Sequence, residues 1–309
     1  MRKLSDSFLS DLASDDGLLH AILERVKQDH TLMLAVRSDY INIYYRGGNL
    51  MRIEENKSGS YRCNFNTSYN QTGFPLPELP EVVESVADVA AWVGSFPQIK
   101  QVMDIWFSSS EKSEREFQQL IARENNFSNI ANASEYFISD IEFADSELHA
   151  RFDMLAVRWL ATQRRTGANC RPALIEVKYG DGALGGTAGM KKHLEDMDQL
   201  IADRDRYAAV LETTKCQFDQ LDQLGLLRFR HSARETEVSL DPDDKPEVIF
   251  VLANHNPRSS KLASILNDPE VLKYGRSDRF DLRFFVAGFA GYGFHARCML
   301  DLDVFRKLL

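Results

Sequence analysis

The sequence predicts a mixed α/β (α+β) fold in which a central mixed sheet is flanked by helices and is preceded by a small N-terminal α+β module. From residue 113 onward the hydrophobic periodicity changes in the order helix, three strands, helix, strand. The apolar runs at residues 173–177 and 248–253 are dense enough for strands that are covered on both faces. Residues 1–109 show a separate pattern of helices and short strands, which predicts a second module.

The N-terminal module, residues 1–109, ends at the run of three serines at residues 108–110. Within it, Gly47-Gly48 is a favoured hairpin signal, and three prolines make residues 73–80 an extended connection. The predicted elements are a helix at 5–28, strands at 32–36, 40–46, 49–54 and 61–65, and a helix at 81–107.

The second domain, residues 110–309, is expected to contain the central sheet. A glycine-rich loop at residues 180–189 separates its third strand from a long helical region. The predicted elements are a helix at 113–124, strands at 136–143, 148–160 and 172–179, a helical region with a break at 188–227, a strand at 248–253, a helix at 259–266, and strands at 282–289 and 293–300.

Bulk composition excludes several classes of protein. The chain has 309 residues, 44% hydrophobic and 27% charged, which is typical of a folded domain. No segment approaches the ~18 consecutive apolar residues of a membrane span, and the N-terminus lacks the apolar run of a signal peptide. A cytoplasmic protein without a membrane partner is therefore expected. The four cysteines are far apart, which favours free thiols over a zinc site or a disulfide scaffold.

The net charge of −9 argues against a generic nucleic-acid coat protein, because phosphate binding depends largely on Lys and Arg. It does not exclude a nuclease, since a nuclease needs only a local basic surface. Residues 151–180 supply such a surface, with six basic residues against two acidic residues.

The strand predicted at 172–179 carries two charges within an apolar run. Glu176 and Lys178 are two residues apart, so their side chains point to the same face of the strand. Because an unpaired charge in a buried strand is costly, both residues need partners. One interpretation is a structural ion pair of Glu176 with Lys178 or with Arg151, and the other is a catalytic site.

Asp153 is a second carboxylate in an apolar run, within the strand predicted at 148–160. If this strand forms a hairpin with the strand at 172–179, Asp153 and Glu176 converge near one end of the sheet. Two carboxylates and an adjacent main-chain carbonyl, that of Val177, suit Mg²⁺, which prefers oxygen ligands. The metal would activate a water and stabilise charge on a phosphate. Lys178 would orient the attacking water and offset negative charge.

Glu114 lies near the start of the helix predicted at 113–124. The apolar stripe of that helix is expected at Phe117, Leu120 and Ile121, so that Glu114 borders it and Glu116 is solvated. Glu114 is either a further metal or water ligand, or an ordinary first-turn glutamate that the helix dipole favours.

The glycine-rich loop would let a substrate backbone approach closely. Lys191, Lys192 and His193 follow it at the start of the next helix and are candidate substrate contacts that would meet phosphates. The alternative is a solvated basic turn. His193 is also a candidate general acid or base, the alternative being a surface histidine.

The residues Glu-Arg-x-Phe-Gln at 114–118 on a helix, Phe-Asp at 152–153 on a strand and Ile-Glu-Val-Lys at 175–178 on the next strand resemble the PD-(D/E)XK nuclease superfamily. The resemblance covers roughly residues 110–255. It implies a restriction-endonuclease-like αβββαβ core and cleavage of nucleic acid with Mg²⁺, for which Mn²⁺ would substitute. Asp153, Glu176 and Lys178 match the motif residues, and Glu114 matches the first-helix glutamate of many members.

The expected function is therefore a metal-dependent nuclease, with DNA favoured over RNA, and the resemblance suggests a bacterial or phage-related defence system. The alternative is a catalytically silent, nuclease-like subunit that serves as a nucleic-acid-binding or assembly module. The N-terminal module would position substrate, form a homo-oligomer or contact a partner subunit, and the sequence does not choose among these roles.

Overall fold

Within the residues that it describes, the computed structural model contains two five-stranded β-sheets together with helices, which confirms the predicted mixed α and β class. The described residues are 2–56, 59–110, 112–129, 131–146, 150–164, 169–229, 238–256, 258–288 and 291–309. Leu148, Arg165 and Phe289, which belong to predicted strands or to the predicted basic stretch, lie outside them. None of the described helices combines the length and the apolar character that a bilayer crossing requires.

The chain divides into two compact units, which we call the N-terminal unit and the C-terminal unit. The N-terminal unit comprises residues 2–119 and 220–226, and the C-terminal unit comprises residues 120–219 and 227–309. The division falls within the helix Ser113–Phe127. The domain boundary expected after residue 109 stays a prediction.

The N-terminal unit is built around an antiparallel sheet. Its elements, in chain order, are α1 (Asp6–Ala13), α2 (His20–Gln28), β1 (Leu32–Val36), β2 (Tyr40–Tyr45), β3 (Gly48–Glu55), β4 (Tyr61–Asn64), β5 (Val82–Val83), α3 (Val86–Ser109) and the first part of α4 (Ser113–Phe127). The strand order is β1-β2-β3-β4-β5. The first three strands lie within one residue of their predicted bounds.

Two predicted helices of this unit are wrong in extent. The helix predicted at 5–28 is two helices, since α1 ends where Ser14 becomes extended and a Ser-Asp-Asp-Gly turn follows at 14–17. The helix predicted from residue 81 begins only at Val86, where Ser85 and Asp88 form a capping box. The two residues of β5 before it pair with β4 instead.

The hairpin turn between β2 and β3 lies one residue earlier than Gly47-Gly48. Arg46 and Gly47 adopt positive φ values of 49° and 72°, which suit a two-residue hairpin turn, and Gly48 already belongs to β3. A Cβ at Gly47 would collide with the backbone of Arg115, so only glycine fits there. Arg46 is held in the turn by ion pairs with Asp104 and Glu116, at 2.9 and 3.0 Å.

The C-terminal unit is built around a mixed sheet. Its elements are the rest of α4, β6 (Tyr136–Asp145), β7 (Ala150–Arg158), β8 (Arg171–Tyr179), α5 (Met190–Ala202), most of α6 (Arg204–Gln223), β9 (Glu247–Ala253), α7 (Ser260–Leu266), α8 (Pro269–Leu272), β10 (Asp281–Ala287) and α9 (Leu302–Arg306). The strand order is β10-β9-β8-β7-β6. The hairpin that convergence of Asp153 and Glu176 requires is present: β7 pairs antiparallel with β6 and β8, whereas β8, β9 and β10 run parallel.

The central strands of this sheet are buried on both faces, as their apolar runs predict. Every residue of β9 is buried. On one face, side chains of the sheet pack against α5, α7, α8 and α9 in a single apolar cluster. The parallel register aligns Glu176 with Phe250 and Lys178 with Leu252, both fully buried members of that cluster. The two charges of β8 therefore lie in an apolar layer.

Two further predictions for this unit differ in outcome, since the expected break in the helical region is present and the last predicted strand is not. The helical region at 188–227 breaks at Asp203, which is extended between α5 and α6. The strand predicted at 293–300 is wrong. In the described segment 291–309, His295 caps a 3₁₀ turn at Ala296–Cys298, and Leu300 alone pairs with β10 in an isolated bridge. A side chain that caps its own turn competes with strand pairing.

Asp29 of the N-terminal unit has an unusual carboxyl group. Lys100, Thr31 and Arg25 all donate hydrogen bonds to it. Burial alone would raise the pKa of Asp29, but the hydrogen bonds from Lys100 and Thr31 outweigh burial and lower the pKa from 3.8 to about 2. A carboxyl whose folded pKa is depressed stabilises the fold above its unfolded pKa, and this contribution is lost as the pH falls through the folded pKa.

We therefore expect Asp29→Asn to lower the free energy of unfolding at pH 7, and this effect to shrink between about pH 4 and about pH 2. Urea denaturation of the variant and the wild type, followed by circular dichroism across this range, measures the difference. Asp16→Asn, at an exposed carboxylate of the same unit, is the matched control. An Asp29→Asn effect of constant size from pH 7 to pH 2 would contradict the prediction.

Candidate functional site

Glu176 and Lys178 form a buried ion pair on β8. The Lys178 Nζ donates a hydrogen bond to Glu176 Oε1 at 2.7 Å and another to the Ala188 carbonyl oxygen at 3.0 Å. Glu176 is 3% exposed and Lys178 is 4% exposed, so both charges lie out of water. Strand alternation thus places the two side chains on one face, as expected, and the ion pair with Lys178 is formed.

His193 is a third member of this group. It lies in the first turn of α5, and its Nε2 donates a hydrogen bond to the same oxygen of Glu176, Oε1, at 2.9 Å. The side chain is only 19% exposed. A contact with the carboxylate was not predicted, because a long glycine-rich loop separates the two residues in sequence.

The Glu176 carboxylate is held in its charged form. Burial by itself would raise its pKa. The hydrogen bond from His193 and the positive charge of Lys178 act in the opposite direction and lower the pKa below its ordinary value. The site at neutral pH therefore contains an ionised carboxylate with both of its donors on one oxygen.

The second oxygen of Glu176, Oε2, is buried and accepts no hydrogen bond from any described residue. A buried, charged oxygen without a partner costs free energy. A cation or an ordered water at this position would remove that cost. The Oε2 side of Glu176 is therefore the candidate position for such a ligand.

Asp153 of β7 reaches the strand that carries Glu176. The ladder between β7 and β8 extends only to the pair Met154–Ile175. Just beyond it, Asp153 Oδ2 accepts a hydrogen bond from the main-chain N–H of Val177 at 2.7 Å. The carboxylate takes the place of a ladder acceptor at this point, which brings Asp153 to the residue that follows Glu176.

The oxygens at this end of the hairpin suit a hard cation. The group has a net charge of −1 when His193 is neutral, because it contains two carboxylates, those of Asp153 and Glu176, and one ammonium group, that of Lys178. Together with the Val177 carbonyl, the two carboxylates are the ligand types that Mg²⁺ prefers. Among the described residues, no group of three or more His, Cys, Asp or Glu side chains is arranged to hold a metal. A metal here would depend on the carbonyl and on water besides the two carboxylates.

Glu114 is partly buried near the start of α4. It belongs to the N-terminal unit, whereas the other three motif residues belong to the C-terminal unit. Its role at the site stays a prediction.

The apolar stripe predicted for this helix, which was the reason for separating Glu114 from Glu116, is wrong in part. Leu120, expected in the apolar stripe, is 44% exposed. The buried positions between residues 113 and 123 are Gln118, Gln119, Ile121, Ala122 and Arg123. Glu116 is not simply solvated, because it forms the ion pair with Arg46. Burial therefore does not separate the two glutamates.

Lys191 and Lys192, two predicted phosphate contacts, lie at exposed positions in the first turn of α5. Lys191 forms an ion pair with Asp268, and Lys192 forms one with Asp196. Both lysines line a cavity of about 470 Å³ beside the glycine-rich loop. Of the three predicted basic residues, His193 therefore contacts Glu176, whereas Lys191 and Lys192 line the cavity.

No protein-family model, curated protein or solved structure gives a significant match to this chain. The resemblance to PD-(D/E)XK nucleases therefore depends on the motif residues themselves.

Removal of one partner of the ion pair tests how strongly the buried charges depend on each other. Lys178→Met leaves Glu176 compensated only by His193, so we expect the free energy of unfolding to fall by about 3–5 kcal/mol. The double variant Glu176→Leu/Lys178→Met removes both charges and should recover most of this loss. Urea denaturation measures both variants. A Lys178→Met protein as stable as the wild type would contradict the prediction.

His193→Ala tests the second donor. We expect it to lower the free energy of unfolding by about 1.5–3 kcal/mol, because a hydrogen bond to a charged group is lost. His193→Gln, whose amide can donate to the same oxygen, should lose less. A double-mutant cycle with Glu176→Gln measures the coupling. Strictly additive effects would show that His193 does not act on Glu176.

Proposed function

We propose that the chain is a Mg²⁺-dependent nuclease that hydrolyses phosphodiester bonds, with DNA favoured over RNA and with Mn²⁺ able to replace Mg²⁺. The observation that carries the proposal is the buried Oε2 of Glu176, which has no partner among the described residues. Glu176 directly precedes Val177, whose main-chain N–H donates a hydrogen bond to the Asp153 carboxylate. Proteins commonly hold Mg²⁺ by one or two carboxylates, with waters and substrate phosphates completing the coordination.

The order of elements supports the proposal. The series α4, β6, β7, β8, α5 and β9, with α6 after α5, agrees with the αβββαβ order that the PD-(D/E)XK resemblance implies. Asp153 lies on the second strand of the series, and Glu176 and Lys178 lie on the third. We therefore include a restriction-endonuclease-like core in the proposal.

Asp153, Glu176 and the Val177 carbonyl would hold the metal. When bound, Mg²⁺ supplies Lewis-acid stabilisation of the phosphate and a water of lowered pKa. Glu176 is suited to this role because His193 and Lys178 hold its Oε1. Its rotamer is therefore fixed and its Oε2 remains for the ligand.

Lys178 supplies a positive charge where water is largely excluded. Two hydrogen bonds, to Glu176 and to Ala188, fix its Nζ. An ammonium group has three donors, so one is left for a water or a phosphate oxygen. A donor that is already fixed stabilises developing charge without reorganisation. Glu114 is kept as a predicted contributor, and Lys191 and Lys192 as predicted phosphate contacts.

A second candidate function is a nuclease-like subunit without catalysis, which serves as a nucleic-acid-binding or assembly module. The observation that favours it is that Glu176 already receives two donors from the chain itself. In that case the group is a structural ion pair that fixes the start of α5 to β8, and no metal binds. A role in bacterial or phage-related defence rests on the resemblance alone.

Cleavage assays with Asp153→Asn and Glu176→Gln test the nuclease. The wild type should cut nucleic acid with Mg²⁺ or Mn²⁺ and not with a chelator. Each variant should lose activity by at least about 100-fold, since changes outside the metal ligands alone cost 10–100-fold. Circular and linear DNA, single and double strands, and RNA are the substrates. Glu212→Gln, at an exposed carboxylate of the C-terminal unit, is the control and should cut like the wild type.

Metal titration by calorimetry separates the two candidate functions. Binding of Mn²⁺ that Asp153→Asn abolishes supports the enzyme. A folded wild type that binds no metal and cuts none of these substrates contradicts the nuclease and favours the silent subunit.

A further inference from the structure

The cavity beside the glycine-rich loop has the dimensions of a ligand site. Its volume of about 470 Å³ falls within the range of roughly 300–1,000 Å³ that small-molecule pockets occupy. It lies in the C-terminal unit between the start of α5, the loop and the segment that contains α8. A volume of this size holds one nucleotide, whereas a base-paired segment is larger.

The lining offers cationic groups that can contact a phosphodiester. Three lysines, Lys191, Lys192 and Lys273, line the cavity together with Glu195 and Glu270. Two of these lysines are paired with Asp268 and Asp196, so a phosphate would have to compete with carboxylates for them. A phosphodiester carries one negative charge. The hydroxyl-bearing side chains of the lining add hydrogen-bonding groups of the kind that contact phosphate oxygens.

The lysines can exchange their present partners for a phosphate at low cost. Lys273 pairs with Glu270 at 2.6 Å, and the other two pair with aspartates. All three lysine side chains are about half exposed. Exposed ion pairs contribute little to stability, because water competes for both charges.

The aromatic residue of the lining does not offer a surface for base stacking. Phe280 stacks on the ring of Tyr274, with centroids 5.6 Å apart, and the Lys273 Nζ lies 5.0 Å from the same ring centroid. Tyr274 is only 7% exposed. Recognition in this cavity therefore depends on charge and hydrogen bonds to phosphate, and not on the face of a base.

The cavity borders the Glu176 group through a shared segment. Thr187 lines the cavity, while the next residue accepts the hydrogen bond from Lys178. Lys192 lines the cavity, while the next residue donates to Glu176. Because neighbouring Cα atoms are about 3.8 Å apart, the cavity begins on the order of 10 Å from the Glu176 carboxylate.

We propose that this cavity binds one unpaired nucleotide of the nucleic-acid substrate, through its phosphodiester, beside the bond that is cut. This inference deepens the proposed function and rests on it. It names single strands or unpaired ends as the substrate class, because the cavity admits one nucleotide. It also implies binding without sequence preference, since phosphate contacts carry no sequence information.

The test is the binding of a fluorescently labelled single-stranded DNA of 12 nucleotides, followed by anisotropy in the presence of a chelator and at several salt concentrations. We expect Lys273→Gln to weaken binding by about 3- to 10-fold and to reduce the salt dependence, log K against log [salt], by about 0.7, the value for one phosphate on a single strand. The matched control is Lys245→Gln. Lys245 also pairs with an acidic residue, Asp281, at 3.0 Å, and precedes β9 at the opposite end of the parallel strands from Glu176.

Two further ligands identify the source of the phosphate. A blunt duplex of the same sequence should bind at least about 10-fold more weakly, and Lys273→Gln should not affect it further. Free thymidine 5′-monophosphate should compete only at high concentration, since it lacks the neighbouring nucleotides of the strand. The proposal is overturned if Lys273→Gln binds as Lys245→Gln does, if the duplex binds equally well and is equally weakened, or if the free nucleotide displaces the strand at low concentration.

Because binding is measured without metal, the outcome is independent of cleavage. Binding that depends on Lys273 in a protein that cuts no substrate would contradict the nuclease and leave the nucleotide site standing. Cleavage that depends on Asp153, together with binding that is indifferent to Lys273, would leave the nuclease standing and remove the site.

Discussion

The ion pair between Glu176 and Lys178 determines how the C-terminal unit is assembled around β8. Glu176 lies in the apolar layer of the sheet, in register with Phe250, where a single charge would be costly. Lys178 lowers that cost from the same strand, and His193 lowers it from the first turn of α5. The second hydrogen bond of Lys178, to Ala188, holds the end of the glycine-rich loop. One buried carboxylate therefore fixes the strand, the loop and the helix to one another.

Stability alone does not account for this arrangement. A buried ion pair is often no better for stability than apolar residues of similar volume, and sometimes worse. The neighbouring strand has such residues, Phe250 and Leu252, at the positions in register with the two charges. The group also leaves Oε2 of Glu176 without a partner among the described residues, a cost that a bound cation or an ordered water would remove. These two facts favour a role in binding a cation over a role in packing.

The elements that a short stretch of sequence specifies were predictable, and so was the face on which their side chains lie. The alternation along β8 predicted that Glu176 and Lys178 share a face. The hairpin of β7 with β8 was only a condition in the sequence analysis, and its presence brings Asp153 to Val177. The contact of His193 was not predictable, because it depends on the path of the loop between β8 and α5. The strand predicted at 293–300 failed for a local reason, since hydrogen bonding within the His295 turn prevails over the apolar pattern.

The acidic character of the whole chain is compatible with a nucleic-acid substrate because electrostatic screening is short-ranged. At physiological ionic strength the Debye length is about 8 Å, so most of the net charge of −9 does not act on a phosphate that is already in contact. At contact the interaction depends on the three lysines of the cavity and the fixed ammonium of Lys178, each of which is paired with a neighbouring carboxylate. Repulsion at longer range lowers the rate of encounter and does not remove the contact energy. Such a protein would gain affinity from close, local contacts. Substrate binding would therefore depend on the segment at residues 187–193, which lies between the cavity and Glu176.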